Sequence, residues 1–426
     1  MSKVVKRRWE SDLTSGLPRR DRASCQYEAY IPDPLVGRPI RFEGEVAADV
    51  ADAERAIAAF DAKAMALADT EALARLLLRA ESVASSRIEG LEVGGRRLLR
   101  AEAANALGEE PVDVTATEVL GNIHAMTWAL QTVREGQDIS IDLLLEAHRR
   151  LLAGTPAAEF GGRLREEQNW IGGSSYNPCS AAFVPPPHEA VKDLLIDLCD
   201  FSNRDDLPAV AQAAIAHAQF ETIHPFIDGN GRIGRVLIQL ILRRRRLAVR
   251  MVPPISLILA TWSTDYIAGL TATRYIGIPS SPEALEGTNK WVGLFATAGR
   301  RAIDDAAEFE EQVVRLQEQW RTALGRVRAG SAADRLIRSL PGAPIVTVSG
   351  ASELIGRTFQ ATNQAITRLV DAGVLTQVNV GRRNRAFEAP EIIRTFTDLE
   401  RRLASPTGNT RSSKPTRRVP RKAVGS

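Results

Sequence analysis

Along most of the chain between Val46 and Arg328, apolar side chains return every three or four residues with charged ones between them. Only an amphipathic helix puts such a repeat on one face, so the chain has to bury its apolar stripes by packing helix on helix. The spacing predicts helices over residues 53–67, 71–88, 115–128, 142–152, 188–201, 208–222, 231–246, 263–273 and from 289 through 307 to about 328. Thr70 is placed to cap the second of these and Gly90 to stop it, while Pro208 suits a first helical position. Over residues 169–184 the pattern is broken by glycines, Pro178 and short apolar runs, which predicts a hairpin. The fold class expected is mainly α.

Gly330 marks a change of composition. Beyond it come helical stretches at 332–340, 351–357 and 360–372 and a hairpin at 374–388 turning at Gly381, the order of a winged helix-turn-helix. Gln360, Asn363, Gln364, Thr367 and Arg368 would line the third helix, with Arg382, Arg383 and Arg385 on the wing. Such groups can contact bases and phosphates, so DNA is a candidate partner of this module. After Ser405 the chain is Pro, Ser, Thr and basic residues, which reads as disorder. The expected organisation is a flexible leader (1–25), an N-terminal helical region (26–110), a core (111–328), a winged-helix domain (329–404) and a basic tail (405–426).

With 426 residues, 44% of them hydrophobic, the chain can bury a core, and its net charge of +3 is too small to imply nucleic acid or anionic membrane over the whole surface. No stretch is apolar and long enough to span a bilayer, and the basic N-terminus is not followed by an apolar targeting segment. Cys25, Cys179 and Cys199 are odd in number and lack Cys-x-x-Cys spacing, which suggests neither a disulfide framework nor zinc. A cytoplasmic location and no membrane partner are expected.

The segment His224-Pro-Phe-Ile-Asp228-Gly-Asn-Gly-Arg232-Ile-Gly-Arg235 gathers a base, an acid, a glycine-flanked turn and two guanidiniums. Gly229 and Gly231 let the backbone approach a ligand closely, and the N–H groups opening the following helix attract anions. Arg232 and Arg235, three residues apart, share a helix face and can hold phosphate oxygens with planar forks. Asp228 is a hard oxygen ligand of the kind that holds Mg2+ together with phosphates. A histidine with an ordinary pKa of about 6.5 can take a proton from a hydroxyl at neutral pH, so His224 is the candidate general base. Phe226 is expected to anchor the loop in the core.

These residues match, at every fixed position, the Fic signature His-x-Phe-x-(Asp/Glu)-Gly-Asn-Gly-Arg-x-x-Arg, and the chain resembles the Fic (Fido) family. The resemblance implies a helical Fic core with a small β-hairpin flap, and transfer of AMP from ATP to a Ser, Thr or Tyr hydroxyl of a target protein or of the chain itself. It further implies that His224 deprotonates the hydroxyl and Asp228 holds magnesium. Gly229, Asn230, Gly231, Arg232, Ile233, Gly234 and Arg235 would then bind the nucleotide. Family habit also allows a homodimer.

Ser85-Ser-Arg-Ile-Glu89-Gly90 is similar to the family's inhibitory motif. By that resemblance Glu89 would pair with Arg235 and occupy the guanidinium that the γ-phosphate needs. Ile171, Gly172, Gly173 and Val184 look like the two sides of the flap, whose edge could register an extended target segment. Tyr266 lies in a segment resembling the family's nucleotide side, where it would stack on adenine or pack between helices. Two other readings stay open: a DNA-binding regulator whose Fic domain senses nucleotide, and an enzyme that removes AMP.

Overall fold

A computed structural model describes residues 1–10, 22, 24–64, 70–106, 113–134, 136–380 and 384–403. The chain is mainly helical, as its periodicity requires, and divides into two compact units. The first comprises Met1–Arg55, Ala125–Leu247 and Thr264–Thr297; the second comprises Ala56–His124, Ala248–Ser263 and Ala298–Ser426. No described helix is long and apolar enough to cross a membrane.

The helices in chain order are α1 (Gly44–Ala64), α2 (Thr70–Ile88), α3 (Gly95–Ala106), α4 (Val114–Thr132), α5 (Ile141–Leu152), α6 (His188–Ser202), α7 (Ala209–Ile223) and α8 (Asn230–Arg244). Then follow α9 (Ile255–Thr261), α10 (Ser263–Ala272), α11 (Pro282–Leu324), α12 (Ala332–Ser339), α13 (Val348–Ile355), α14 (Phe359–Asp371) and α15 (Pro390–Leu403).

The first unit is built around α7 and α8. Every residue of α7 is buried, and in α8 only Arg243 is not. A helix with small or apolar residues all round has no solvent face to offer, and α7 is rich in alanine. Gly234 permits the close approach of the pair, since a Cβ there would stand 2.8 Å from Glu221 Oε1. Trp291 of α11, fully buried, closes the core and donates its indole N–H to Ala214 O at 2.7 Å.

A flexible leader is expected over residues 1–25, and this needs correction. Strand β1 (Lys3–Trp9) pairs antiparallel with β2 (Cys25–Ile31), with Lys3 opposite Ile31 and Trp9 opposite Cys25. The polar composition hid a ribbon whose anchors lie far away in sequence. The Trp9 ring packs edge-on against Trp170 at 5.4 Å, and Cys25 is disulfide-bonded to Cys179, 154 residues on. The expectation that the cysteines form no disulfide framework is therefore corrected for this pair. Cys199 remains as a buried thiol, which burial pushes up to about 12.

In the second unit α2 packs on α9, and a carboxylate fixes the junction. Glu81 is fully buried and accepts the Ser256 N–H at 2.7 Å and the Ser256 hydroxyl at 2.6 Å. Asn122 of α4 donates to Ser82 O at 2.8 Å, and Val83, Leu98, Val119 and Leu120 make an apolar cluster around the same turn. The C-terminal segment of this unit follows the expected succession of helices and hairpin, with a short strand added. Strands β3 (Ile345–Val346), β4 (Thr376–Val380) and β5 (Asn384–Glu388) form an antiparallel sheet in the order β3-β5-β4. Gln360, Asn363, Gln364, Thr367 and Arg368 are all exposed along α14. Arg382, Arg383, the Gly381 turn and the basic tail lie outside the described residues.

Substituting Glu81→Ala orphans both Ser256 donors in a dry site and is expected to lower unfolding stability by about 2–3 kcal/mol, whereas Ser256→Ala costs about 1 kcal/mol. Urea denaturation of the two variants checks this; equal losses would show that the orphaned Ser256 N–H carries no cost of its own.

Candidate active site

His224 ends α7. Its N–H bonds to Phe220 O at 2.9 Å, and its backbone sits in the left-handed region (φ 50°, ψ 61°), a conformation uncommon for a residue with a Cβ. The following turn is held by its carbonyls. Asn230 accepts the Phe226 N–H and donates back to Phe226 O, both at 2.8 Å. The asparagine side chain thus ties the turn to the start of α8; what it leaves for a ligand is its backbone. Phe226, 1% exposed, stacks on the His148 ring at 3.8 Å, in keeping with its expected role as anchor.

His148, on α5, receives the Gly162 N–H on Nδ1 at 3.1 Å, so the ring proton is on Nε2 and is donated to Asp228 O at 2.9 Å. Gly229 (φ 80°) follows, and a Cβ there would meet Leu151 Cδ2 at 2.8 Å, so the turn accepts only glycine. The Asp228 carboxylate takes the Gly229 N–H on Oδ1 at 2.7 Å and faces Arg232 Nη2 across 3.3 Å, with half its side chain in solvent.

Both arginines of the segment are buried. Arg232 is 3% exposed, and its Nε and Nη1 have no hydrogen-bond partner. Leaving two donors of a cation unsatisfied in a dry site is costly, and an anion beside the first turn of α8 would relieve it. Arg235, 1% exposed, donates to the Tyr266 oxygen at 3.4 Å, and the Tyr266 hydroxyl lies 2.9 Å from His217 Nε2. Tyr266 is 4% exposed and packs beside His217 and Trp291, so it supports Arg235 from within the core and does not present a ring to adenine. Ile233 is fully buried and Gly234 serves the contact of α7 with α8.

The flap is slighter than the hairpin expected. Ile171 and Phe183 make one isolated antiparallel bridge, with Ile171 N–H to Phe183 O at 2.8 Å and Phe183 N–H to Ile171 O at 3.1 Å. Gly172 and Gly173, both at φ 75°, end the ladder at once, and a Cβ on Gly173 would stand 2.3 Å from Ser180 O. Val184 is buried and its carbonyl accepts the Tyr30 N–H of β2 at 3.0 Å, so it is not an open edge.

In the second unit Ser85 is fully buried in α2, while Glu89 lies one residue past the helix and is exposed, its N–H on Ser86 O at 3.1 Å. Gly90 at φ 82° turns the chain away, as a helix stop should. Among the described residues no group of three His, Cys, Asp or Glu is arranged to hold a metal. Sequence reasoning missed Arg165 and Asn169; each acts on the turn from a distant part of the chain, with no local pattern to mark it.

Burial holds the His148 imidazole down to about 4 and the His217 imidazole to about 3, both against an unfolded value of about 6.5. Between pH 6.5 and 4 the unfolded chain binds protons that the native chain refuses, so stability must fall as pH falls through that window. Each histidine contributes at most about 1.4 kcal/mol per pH unit there. Urea midpoints measured from pH 7 to 4.5 are expected to show this slope, and His148→Gln to remove about half of it; parallel curves for the two proteins would contradict the assignment.

Residues 138–242 match the Fic/DOC family, and residues 47–131 match the Fic/DOC family N-terminal segment. The chain is 36% identical over 140 residues to protein adenylyltransferase fic-1 of Caenorhabditis elegans, an alignment covering 32% of this chain and 24% of the relative. It is 32% identical over 203 residues to protein adenylyltransferase Fic of Drosophila willistoni, covering 45% and 38%. The matched stretch thus spans well under half the length of these curated relatives. A crystal structure of a Fic family protein from Desulfovibrio desulfuricans G20 shares the fold, with a TM-score of 0.50 at 20% identity over 82% of this chain and 97% of that one. Over residues 138–242 and 47–131, respectively, the chain thus carries the Fic/DOC core and the N-terminal segment that accompanies it in that family.

Proposed function

We propose that this chain is a protein adenylyltransferase, moving AMP from ATP to a Ser, Thr or Tyr hydroxyl of a target protein and of itself. The observation that carries the reading is Arg232: a buried guanidinium with two donors lacking partners, set at the start of α8 just after the glycine turn. Such a site is prepared for a polyanion before any arrives, which is the condition under which charge stabilisation is effective. Relatives in nematodes and flies bear the name protein adenylyltransferase, and transfer of AMP is the direction adopted here.

In the reaction the target hydroxyl oxygen forms a bond to the α-phosphorus of ATP, and the bond from that phosphorus to the pyrophosphate oxygen breaks. His224 takes the hydroxyl proton, and the backbone N–H groups at Asn230 and Gly231 line the phosphates. Arg232 and Arg235 hold the outer phosphates as charge moves onto the leaving group. The half-exposed Asp228 carboxylate fits a magnesium ion shared with those phosphates, the arrangement this ion prefers to an all-protein cage. Bound there, magnesium would neutralise the departing pyrophosphate.

Glu89 is assigned as the restraint on this activity and Ile171 to Gly173 as the docking side for the target. The regulator reading is not adopted for the C-terminal module, because Arg368 of α14 donates to the Leu324 and Arg326 carbonyls of its own chain.

Label from α-labelled ATP is expected to enter the protein and to be lost in His224→Ala by a factor of about 1,000 or more, the usual scale for removing a general base together with its positioning. Persistent labelling in that variant would exclude His224 as the base. Separately, Glu89→Gly is expected to raise automodification; activity equal to that of the unsubstituted chain would remove the inhibitory role while leaving the transferase reading intact.

A further inference from the structure

Arg165 is 3% exposed, and among the described residues its guanidinium hydrogen-bonds to backbone carbonyls and not to a carboxylate. Nε donates to His224 O at 2.9 Å, Nη1 to Glu167 O at 2.9 Å and Nη2 to Pro186 O. Its own N–H donates to Pro225 O at 2.9 Å. Four residues on, Asn169 Nδ2 donates to His224 O at 3.1 Å and to Phe226 O at 3.0 Å. Between them Gln168 donates to Pro185 O at 3.0 Å. Three consecutive carbonyls of the turn, those of residues 224, 225 and 226, are thereby gripped by one short segment, and that segment leads directly into Trp170 and Ile171 of the flap.

Burial brings the Arg165 guanidinium down to about 10, so it stays charged at neutral pH. A buried cation is expensive unless its surroundings are dipoles aimed at it, and carbonyl oxygens from three segments supply them. The arrangement answers a particular need. His224 occupies a left-handed conformation that its Cβ opposes, and such a conformation persists only where neighbouring groups over-determine it.

We infer that Arg165 and Asn169 are positioning residues for catalysis, a clamp on the His224, Pro225 and Phe226 carbonyls that fixes the imidazole relative to the phosphate turn and links it to the flap. They touch neither nucleotide nor hydroxyl. The inference deepens the transferase reading and rests on His224 acting as its base.

The test uses the full chain carrying Glu89→Gly, with Arg165→Ala and, independently, Asn169→Asp, which keeps the shape of the amide but removes its donors. Both are expected to lower kcat for AMP transfer by about 100-fold, the scale of a small misplacement of a reacting group, with the ATP dissociation constant within about twofold by calorimetry. Guanidinium ion in the assay is expected to restore part of the activity of Arg165→Ala and none of that of Asn169→Asp. A second readout does not depend on activity. With nitrogen-labelled histidine, the His224 ring signal, assigned by its loss in His224→Ala, should be single in the parent and broadened or split in both variants.

Loss of ATP affinity in step with kcat would mean that Arg165 merely supports the whole nucleotide site and would overturn the proposal, as would unchanged kcat with an unchanged ring signal. If Arg165→Ala does not fold, Asn169→Asp decides alone. If the parent transfers no AMP, the transferase reading fails, and the ring signal still decides whether the clamp exists.

Discussion

On the adenylyltransferase reading, the turn between α7 and α8 presents its N–H groups and Arg232 to an anion while staying rigid without one, and carbonyls of the turn are satisfied from behind. Asn230 holds Phe226, His148 holds Asp228, and Arg165 and Asn169 hold His224 and Phe226. Each of these donors comes from the protein side, so the acceptors of the turn are spoken for and its donor-rich start of α8 is what a ligand meets. A loop with unsatisfied carbonyls would hydrate or rearrange and could offer no fixed electrostatic field.

The same logic explains why two arginines lie in the core of the unit. A guanidinium at the surface is shielded by water and reorganises when a phosphate arrives; one at 1–3% exposure does neither. Arg235 is held by the Tyr266 oxygen, which is oriented in turn by a histidine that burial keeps neutral. A charged imidazole at that position would repel the guanidinium it helps to seat. The stability lost in folding around such cations is recovered in the apolar contact of α7 with α8, where alanines and Gly234 bring two helices together almost without solvent exposure.

What the sequence reveals of this arrangement is its local part. Helix positions follow from the spacing of apolar residues, and the sequence from His224 to Arg235 announces an anion turn because base, acid, glycines and arginines are contiguous. Arg165 stands 59 residues from the carbonyl it holds, His148 80 residues from Asp228, and Cys25 154 from Cys179. Nothing in their neighbourhoods distinguishes them from solvated polar residues. Strand β1 falls in the expected leader for the same cause: Lys3, Lys6, Arg7 and Arg8 are polar, and the partners that order this end of the chain, Trp170 and Tyr275 with Gly277 beyond it, come much later in the chain. For Tyr266 the sequence leaves stacking on adenine and packing between helices both open, and the ring packs against His217 and Trp291.

The ribbon also limits how a target can be read. Val184 gives its carbonyl to Tyr30, the Cys25–Cys179 bond fixes the base of the loop, and Trp9 braces Trp170, so the outer side of the flap is occupied by the chain's own N-terminal strand. On the inner side the bridge between Ile171 and Phe183 is followed at once by two glycines at φ 75°, a conformation that cannot carry an extended ladder. A docking segment therefore has room for only a short run of main-chain bonds near Ile171. On the adenylyltransferase reading proposed above, affinity for a protein target would therefore come chiefly from surface outside the flap.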